Sequence, residues 1–209
     1  MKTSQEMLAI YFIAGTQDIM DRTLPEVLEQ ALKAGITCFQ YREKGEGSLT
    51  DPNDKKLMAK RCQQLCKEYR VPFLINDDVT LALEIEADGI HVGQTDQAIQ
   101  DVLALFSDKI VGLSCYDEKE VKTANKVPAI TYYGIGPVYG TLSKKDAKQP
   151  IGLVKLQKLT ELAEKPVVAI GGINTGDVEQ IIETNVAGVA VISAITQTKD
   201  IHEAVKSLS

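Results

Sequence analysis

Short apolar runs alternate with helix-length amphipathic segments along the whole chain, and this alternation constrains the fold more than any single motif. The runs are Leu8 to Ala14, Ile36 to Tyr41, Pro72 to Ile75, Gly89 to Val92, Lys109 to Ser114, Ala129 to Ile135, Val167 to Ile170 and Gly188 to Ile192. They are apolar at successive positions and rich in Val, Ile and Phe, as strands of a parallel sheet covered on both faces must be. Between them, Leu24 to Leu32 carries Pro25 near its start and Gly35 just past its end, the asymmetry expected of a helix. Asp51-Pro52 opens a long helix reaching to about Tyr69, and Gly152 to Ala163 and Gly176 to Glu183 continue the pattern. Asp117 and Asp101 read as capping residues of two more helices. Strand–helix units repeated this way through 209 residues, with no linker or break in composition, predict an α/β fold. The specific expectation is a single (β/α)₈ TIM barrel over residues 1–209 with short loops. A doubly wound sheet needs fewer strands, and its G-x-G-x-x-G fingerprint is missing: Gly134-Ile135-Gly136 is followed next by Gly140.

Charge and cysteine usage narrow the function classes. A formal net charge of −6 argues against a general nucleic-acid binder and leaves room for a local cationic site. The four cysteines, Cys38, Cys62, Cys66 and Cys115, lack the spacing of an extracellular disulfide framework and read as reduced thiols of a cytoplasmic protein. Cys62 and Cys66 lie one helical turn apart. With only two histidines and no second cysteine pair, a packed helix face explains them better than a metal site. No apolar run approaches the roughly 18 residues of a membrane span. Leu8 to Ala14 is explained more simply as a first buried strand than as a signal peptide.

In a barrel of this kind ligand groups gather at the C-terminal ends of the strands. The second strand ends in Gln40-Tyr41-Arg42-Glu43-Lys44, whose alternation puts Gln40, Arg42 and Lys44 on one face and Tyr41 and Glu43 on the other. Two cations beside an amide suit a diphosphate, because Arg grips oxygens bidentately and Lys adds a point charge. The third and fourth strands run into Asn76-Asp77-Asp78 and into His91 to Asp96. Asp77 and Asp96, at successive strand ends, fit one Mg²⁺ held by carboxylates and ligand phosphates; helix capping is the competing reading, and it is the better one for Asp78. Ser114 ends the fifth strand, and Lys144 is the cation of the 141–149 loop nearest its strand, while Lys145 and Lys148 read as solvated. That loop has few apolar anchors and reads as a lid that orders on ligand binding. Gly171-Gly172 and Ile192-Ser193 end the last two strands, where barrels often bind a phosphate monoester. His91 reads as structural, with no evident serine partner, and His202 as exposed, so a hydrolytic triad is not expected.

In order along the chain, these segments resemble the thiamine-phosphate synthase family. The resemblance rests on Gln40 to Lys44, Ile75 to Asp78, Asp88 to Asp96, Gly112-Leu113-Ser114, Gly134 to Tyr139, Thr141 to Asp146, Ala169 to Ile173 and Ile192 to Ile195. It implies a transferase that joins hydroxymethylpyrimidine diphosphate to a thiazole phosphate, with or without a carboxyl group, releasing diphosphate and thiamine phosphate. By that likeness Gln40, Tyr41, Arg42, Glu43, Lys44, Asn76, Ser114 and Lys144 hold the pyrimidine diphosphate. Asp77 and Asp96 bind Mg²⁺, and Thr141, Leu142, Ser143, Gly172, Ile192 and Ser193 hold the thiazole phosphate. Arg42, Lys44, Ser114 and Lys144 are the residues expected to act on the departing diphosphate. The resemblance also implies a homodimer. The rival within the same superfamily is a thiazole tautomerase-like isomerase, whose members lack the aspartate pair and carry His two residues after the serine; here Tyr116 stands in that place. A rival of another class is a non-catalytic barrel that binds a phosphorylated metabolite.

Overall fold

The computed structural model describes residues 3–94, 99–140 and 148–209. The first half runs α1 (Ser4–Met7), β1 (Ile10–Ala14), a 3₁₀ turn (Thr16–Asp18), α2 (Leu24–Ala34), β2 (Cys38–Tyr41), α3 (Pro52–Tyr69), β3 (Phe73–Asn76), α4 (Val79–Glu84) and β4 (Gly89–Val92). The second half runs α5 (Ile99–Leu105), β5 (Ile110–Cys115), α6 (Glu118–Asn125), β6 (Tyr132–Ile135), α7 (Gly152–Leu162), β7 (Val167–Ile170), a second 3₁₀ turn (Thr175–Asp177), α8 (Val178–Ile182), β8 (Gly188–Val191), α9 (Ser193–Thr196) and α10 (Ile201–Lys206). The strands form a closed parallel barrel in sequence order. Closure is made by β1, where Tyr11 stands opposite Cys38 of β2 on one side and Ala190 of β8 on the other. Among the described residues no helix is long and apolar enough to cross a membrane.

Local chemistry sets the element ends. The Glu26 carboxylate accepts from the Thr23 amide and hydroxyl at 2.8 Å each at the start of α2, and Gly35 ends that helix at φ 109°, a left-handed conformation that glycine adopts without a Cβ penalty. The Asp51 carboxylate accepts from the Asn53 and Asp54 amides and caps α3. Asp78 and Asp117 cap α4 and α6 through the amides of Leu81 and Glu120. Asp101 differs from expectation: it lies in the first turn of α5, where its charge complements the helix dipole but its side chain is past the cap position.

Alternation along each strand divides the interior in two. Phe12, Phe39, Tyr41, Ile75, Ile90, Val111, Ile135 and Val189 face outward into the main core beneath the helices. Tyr11, Ile13, Cys38, Leu74, Tyr132, Val168 and Ala190 face inward and fill the barrel axis. Cys62 and Cys66 are buried on the core face of α3, and burial pushes the Cys62 thiol up to about 12. They are packing residues of the main core, as expected of a packed helix face.

Candidate active site

The inward phase of β2 carries Gln40 into the barrel, where it is buried and its amide donates to the Tyr11 hydroxyl at 2.7 Å. Tyr41 takes the opposite phase. Its side chain lies in the main core, where burial, with the nearby Glu43 carboxylate, holds the phenol well above its ordinary range. Glu43 accepts from the Thr16 amide at 3.1 Å, the Thr16 hydroxyl and the Leu49 amide at 2.7 Å, between the loops that follow β1 and β2. Within the Gln40–Lys44 segment expected to hold the ligand, the Tyr41 side chain thus packs in the outer core and the Glu43 side chain ties down two loops. Arg42 continues the inward phase and is partly exposed. Its amide donates to the Ala14 carbonyl at 3.0 Å, and its own carbonyl accepts from Gln17 at 2.8 Å. The neighbouring Asp18 carboxyl is raised by burial, an effect opposed by the Gly15 amide and by Arg42.

Lys44 extends over the strand ends to Asp77, with Nζ 2.6 Å from Oδ2. Asp77 has φ 60°, a left-handed backbone at a residue that is not glycine, and its amide donates to the His91 carbonyl at 2.9 Å. That conformation turns the chain out of β3 and separates two adjacent carboxylates: Asp77 meets the lysine, while Asp78 caps α4. Asn76 ends β3 on the inward phase, paired in register with His91. Asp96 lies outside the described residues. Among the described residues no group of three or more His, Cys, Asp and Glu side chains gathers as a metal site would.

His91 is engaged further than its sequence context suggested. Its Nε2 lies 2.9 Å from Ser114 Oγ and its Nδ1 2.9 Å from the Tyr132 hydroxyl, which is 2.7 Å from the Tyr11 hydroxyl. Ser114 is thus a hydrogen-bond partner of His91 that the sequence does not reveal. The two residues stand 23 apart in sequence but on adjacent strands with the same inward phase. Gln40, Tyr11, Tyr132, His91 and Ser114 thus form one hydrogen-bonded series across the barrel. Tyr11 and Tyr132 were not singled out from sequence. The signal that finds them is inward phase on their strands, which gives a polar tip in an otherwise apolar file.

The loops after β6 and β7 are strapped together. Val138 and Tyr139 donate to the Ile170 and Gly171 carbonyls at 2.9 Å each, and Ile151 and Gly152 donate back to Pro137 and Val138 at 2.8 and 3.0 Å. Gly171 and Gly172 take φ 100° and 66°, and a Cβ on Gly172 would overlap the Gly140 carbonyl, so glycine is required for this approach. Ile192 packs against the barrel interior, and Ser193 opens α9. Thr141, Leu142, Ser143 and Lys144, with Lys145, lie outside the described residues. Lys148 pairs with Glu120 at 2.9 Å and lies 4.4 Å from the Tyr116 ring centre, while Lys155 lies 4.1 Å from the same centre. Lys148 is thus placed by an ion pair and an aromatic face, where sequence alone suggested a solvated charge. Tyr116 also donates to the Gln149 carbonyl at 3.2 Å, a supporting role behind the strand end.

Comparison with known proteins places this geometry among relatives. The family described as "Thiamine monophosphate synthase" matches residues 10–195. A thiamine-phosphate synthase of Listeria monocytogenes is 54% identical over 203 residues, covering 96% of this chain and 95% of that protein. One from Latilactobacillus sakei is 48% identical over 207 residues, covering 99% and 92%. Among solved structures, a thiamine phosphate pyrophosphorylase from Pyrococcus furiosus superposes with a TM-score of 0.87 at 33% identity, covering 98% of this chain and 95% of that one.

Proposed function

Because the chain belongs to the thiamine monophosphate synthase family, we propose that its barrel mouth joins a pyrimidine diphosphate to a thiazole phosphate. The activity is that of a thiamine-phosphate synthase, a transferase of thiamine biosynthesis. The observation that carries the reading of the site is the convergence at one barrel end. The inward file of Gln40, Arg42 and Lys44 meets Asp77, and Asn76 and Ser114 end the inward files of neighbouring strands.

In the reaction the C–O bond between the pyrimidine methylene and diphosphate breaks, its electron pair leaving with the diphosphate. The thiazole nitrogen lone pair then forms the new C–N bond. That nitrogen is already nucleophilic, so the task of the site is to stabilise charge on the departing group. Arg42, Lys44 and Lys144 are the cations assigned to it, with Ser114 and Asn76 orienting it by hydrogen bonds. Gln40, anchored on Tyr11, presents its amide to the pyrimidine. Thr141, Leu142, Ser143, Gly172, Ile192 and Ser193 are assigned to the thiazole phosphate.

The chemistry of the donors fits a hard cation. Asp77 brings a carboxylate to the mouth and already holds an ammonium at 2.6 Å, and Mg²⁺ asks for only one or two carboxylates beside phosphate and water. Mg²⁺ on Asp77 and Asp96 would supply neutralisation of the diphosphate charge. A soluble cytoplasmic homodimer of one barrel domain completes the reading.

The test is diphosphate release from hydroxymethylpyrimidine diphosphate, with and without thiazole phosphate, in Mg²⁺ or in EDTA. Release that needs both the acceptor and Mg²⁺, with thiamine phosphate formed, is the expected outcome. Release unaffected by EDTA would remove the metal assignment, and binding without release would remove the transferase reading.

A further inference from the structure

We propose that His91 is a positioning residue: it fixes Ser114 as a hydrogen-bond donor toward the barrel mouth, and Tyr132 in turn fixes the tautomer of His91. The argument is a count of protons along the series that crosses the barrel. The Gln40 amide nitrogen donates to the Tyr11 oxygen at 2.7 Å. Tyr11 has a single proton, and the Tyr132 oxygen at 2.7 Å is a better acceptor for it than the Cys38 thiol that also lies beside the phenol, sulfur being the weaker acceptor. The Tyr132 proton is then directed at His91 Nδ1, 2.9 Å away. An imidazole that accepts at Nδ1 carries its proton on Nε2. That proton faces Ser114 Oγ at 2.9 Å. Ser114, accepting there, keeps its own proton for a ligand. Run in reverse, the series would spend the Ser114 proton on His91 and leave the Tyr11 proton facing an amide NH₂, a donor against a donor.

Two further observations support a built device. Burial, with the mutual proximity of the two rings, holds the Tyr11 phenol well above its ordinary range, and burial does the same for Tyr132, so each keeps one proton. The backbone also makes room for the rings. A Cβ on Gly112 would overlap the Tyr132 ring and crowd His91 Nδ1, and one on Gly134 would stand 3.0 Å from His91 Cε1. The β5 and β6 strands thus omit side chains where the imidazole and phenol sit, 5.6 Å between ring centres. From the other side, Gln94 donates to the Ser114 carbonyl at 2.8 Å and holds the strand end that carries the hydroxyl.

The turnover consequence rests on the transferase reading above; the tautomer does not. The decisive measurement is therefore a long-range ¹H–¹⁵N correlation spectrum of the ¹⁵N-labelled chain. It has only two histidines, and a His202→Gln spectrum assigns them. His91 protonated at Nε2 and bare at Nδ1 is the expected result. A proton at Nδ1, or at both nitrogens, would overturn the proposal. Tyr132→Phe should mix the two tautomers, and Gln40→Glu, which puts an acceptor beside Tyr11, should shift the proton toward Nδ1. In kinetics, His91→Phe should lower kcat roughly tenfold or more, the scale of removing a partner one step behind the reacting group, with KM nearly unchanged. His91→Gln, which can return an N–H near the place of Nε2, should recover part of that loss. Unchanged kcat in His91→Phe would overturn the positioning role. An inactive wild-type chain would instead sink the functional reading and leave the spectrum to decide the tautomer.

Discussion

Asp77 adopts a left-handed backbone that only a few residue types tolerate, and its carboxylate is held by a lysine whose side chain is 53% exposed. At that exposure the ion pair contributes at most about 1 kcal/mol to stability, so its value lies in where it places charge. Asn tolerates the same backbone, so Asp77→Asn should leave the unfolding free energy within about 1 kcal/mol of wild type. It should nevertheless slow turnover by roughly 10²-fold or more at limiting Mg²⁺, the scale of losing one electrostatic stabiliser. Urea unfolding beside a diphosphate-release assay separates the two effects, and near wild-type turnover would remove Asp77 from the metal site. Lys44→Met is expected to leave the melting temperature almost unmoved while raising KM for the pyrimidine diphosphate. A lowered melting temperature with unchanged KM would make Lys44 structural.

At the scale of elements, the strands were legible because a covered parallel sheet writes itself as apolar runs; six runs contain the strand found there, and the strands at Phe73–Asn76 and Ile110–Cys115 extend one residue beyond theirs. The inward file of Gln40, Arg42 and Lys44 was legible for the same reason, since alternation needs no tertiary information. What could not be read was which inward residues meet across the barrel. The His91–Ser114 contact depends on the register of β4 against β5, and the Tyr11–Tyr132 contact joins strands far apart in sequence. Asp101 was misplaced by part of a turn because acidic residues favour both the cap and the first turn. Element-scale predictions follow from the same contacts. Asp51→Ala removes the acceptor for two amides of α3 and should cost about 1 kcal/mol in urea unfolding. Gly112→Ala forces Tyr132 aside and should cost roughly 1–3 kcal/mol, the range for overpacking a tight interior. If both variants unfold at the wild-type denaturant midpoint, neither contact matters to stability.

For the molecule as a whole, the barrel's buried thiols set an alkaline limit. Cys62 and Cys115 are both pushed up to about 12 by burial, whereas exposed thiols ionise near 9. Between those values the unfolded chain releases protons that the folded chain keeps, so stability is intact below pH 9 and is lost as pH rises toward 12. Each such thiol contributes a slope of about 1.4 kcal/mol per pH unit in that window. Chemical denaturation at pH 8 and 10 should show the decline, and Cys62→Ala should make it shallower; an equal decline in that variant would exclude Cys62 as a source.

Closure of the sheet through β1 and β8 has one more consequence, for how copies of this chain meet. A closed barrel offers no unpaired strand edge, so a folded copy cannot template cross-β pairing in another, and association must use helix faces or loops. A chain cut before Gly188 would open two edges together, along Ile10–Ala14 and Val167–Ile170, and should convert a well-behaved protein into one that forms thioflavin-positive aggregates.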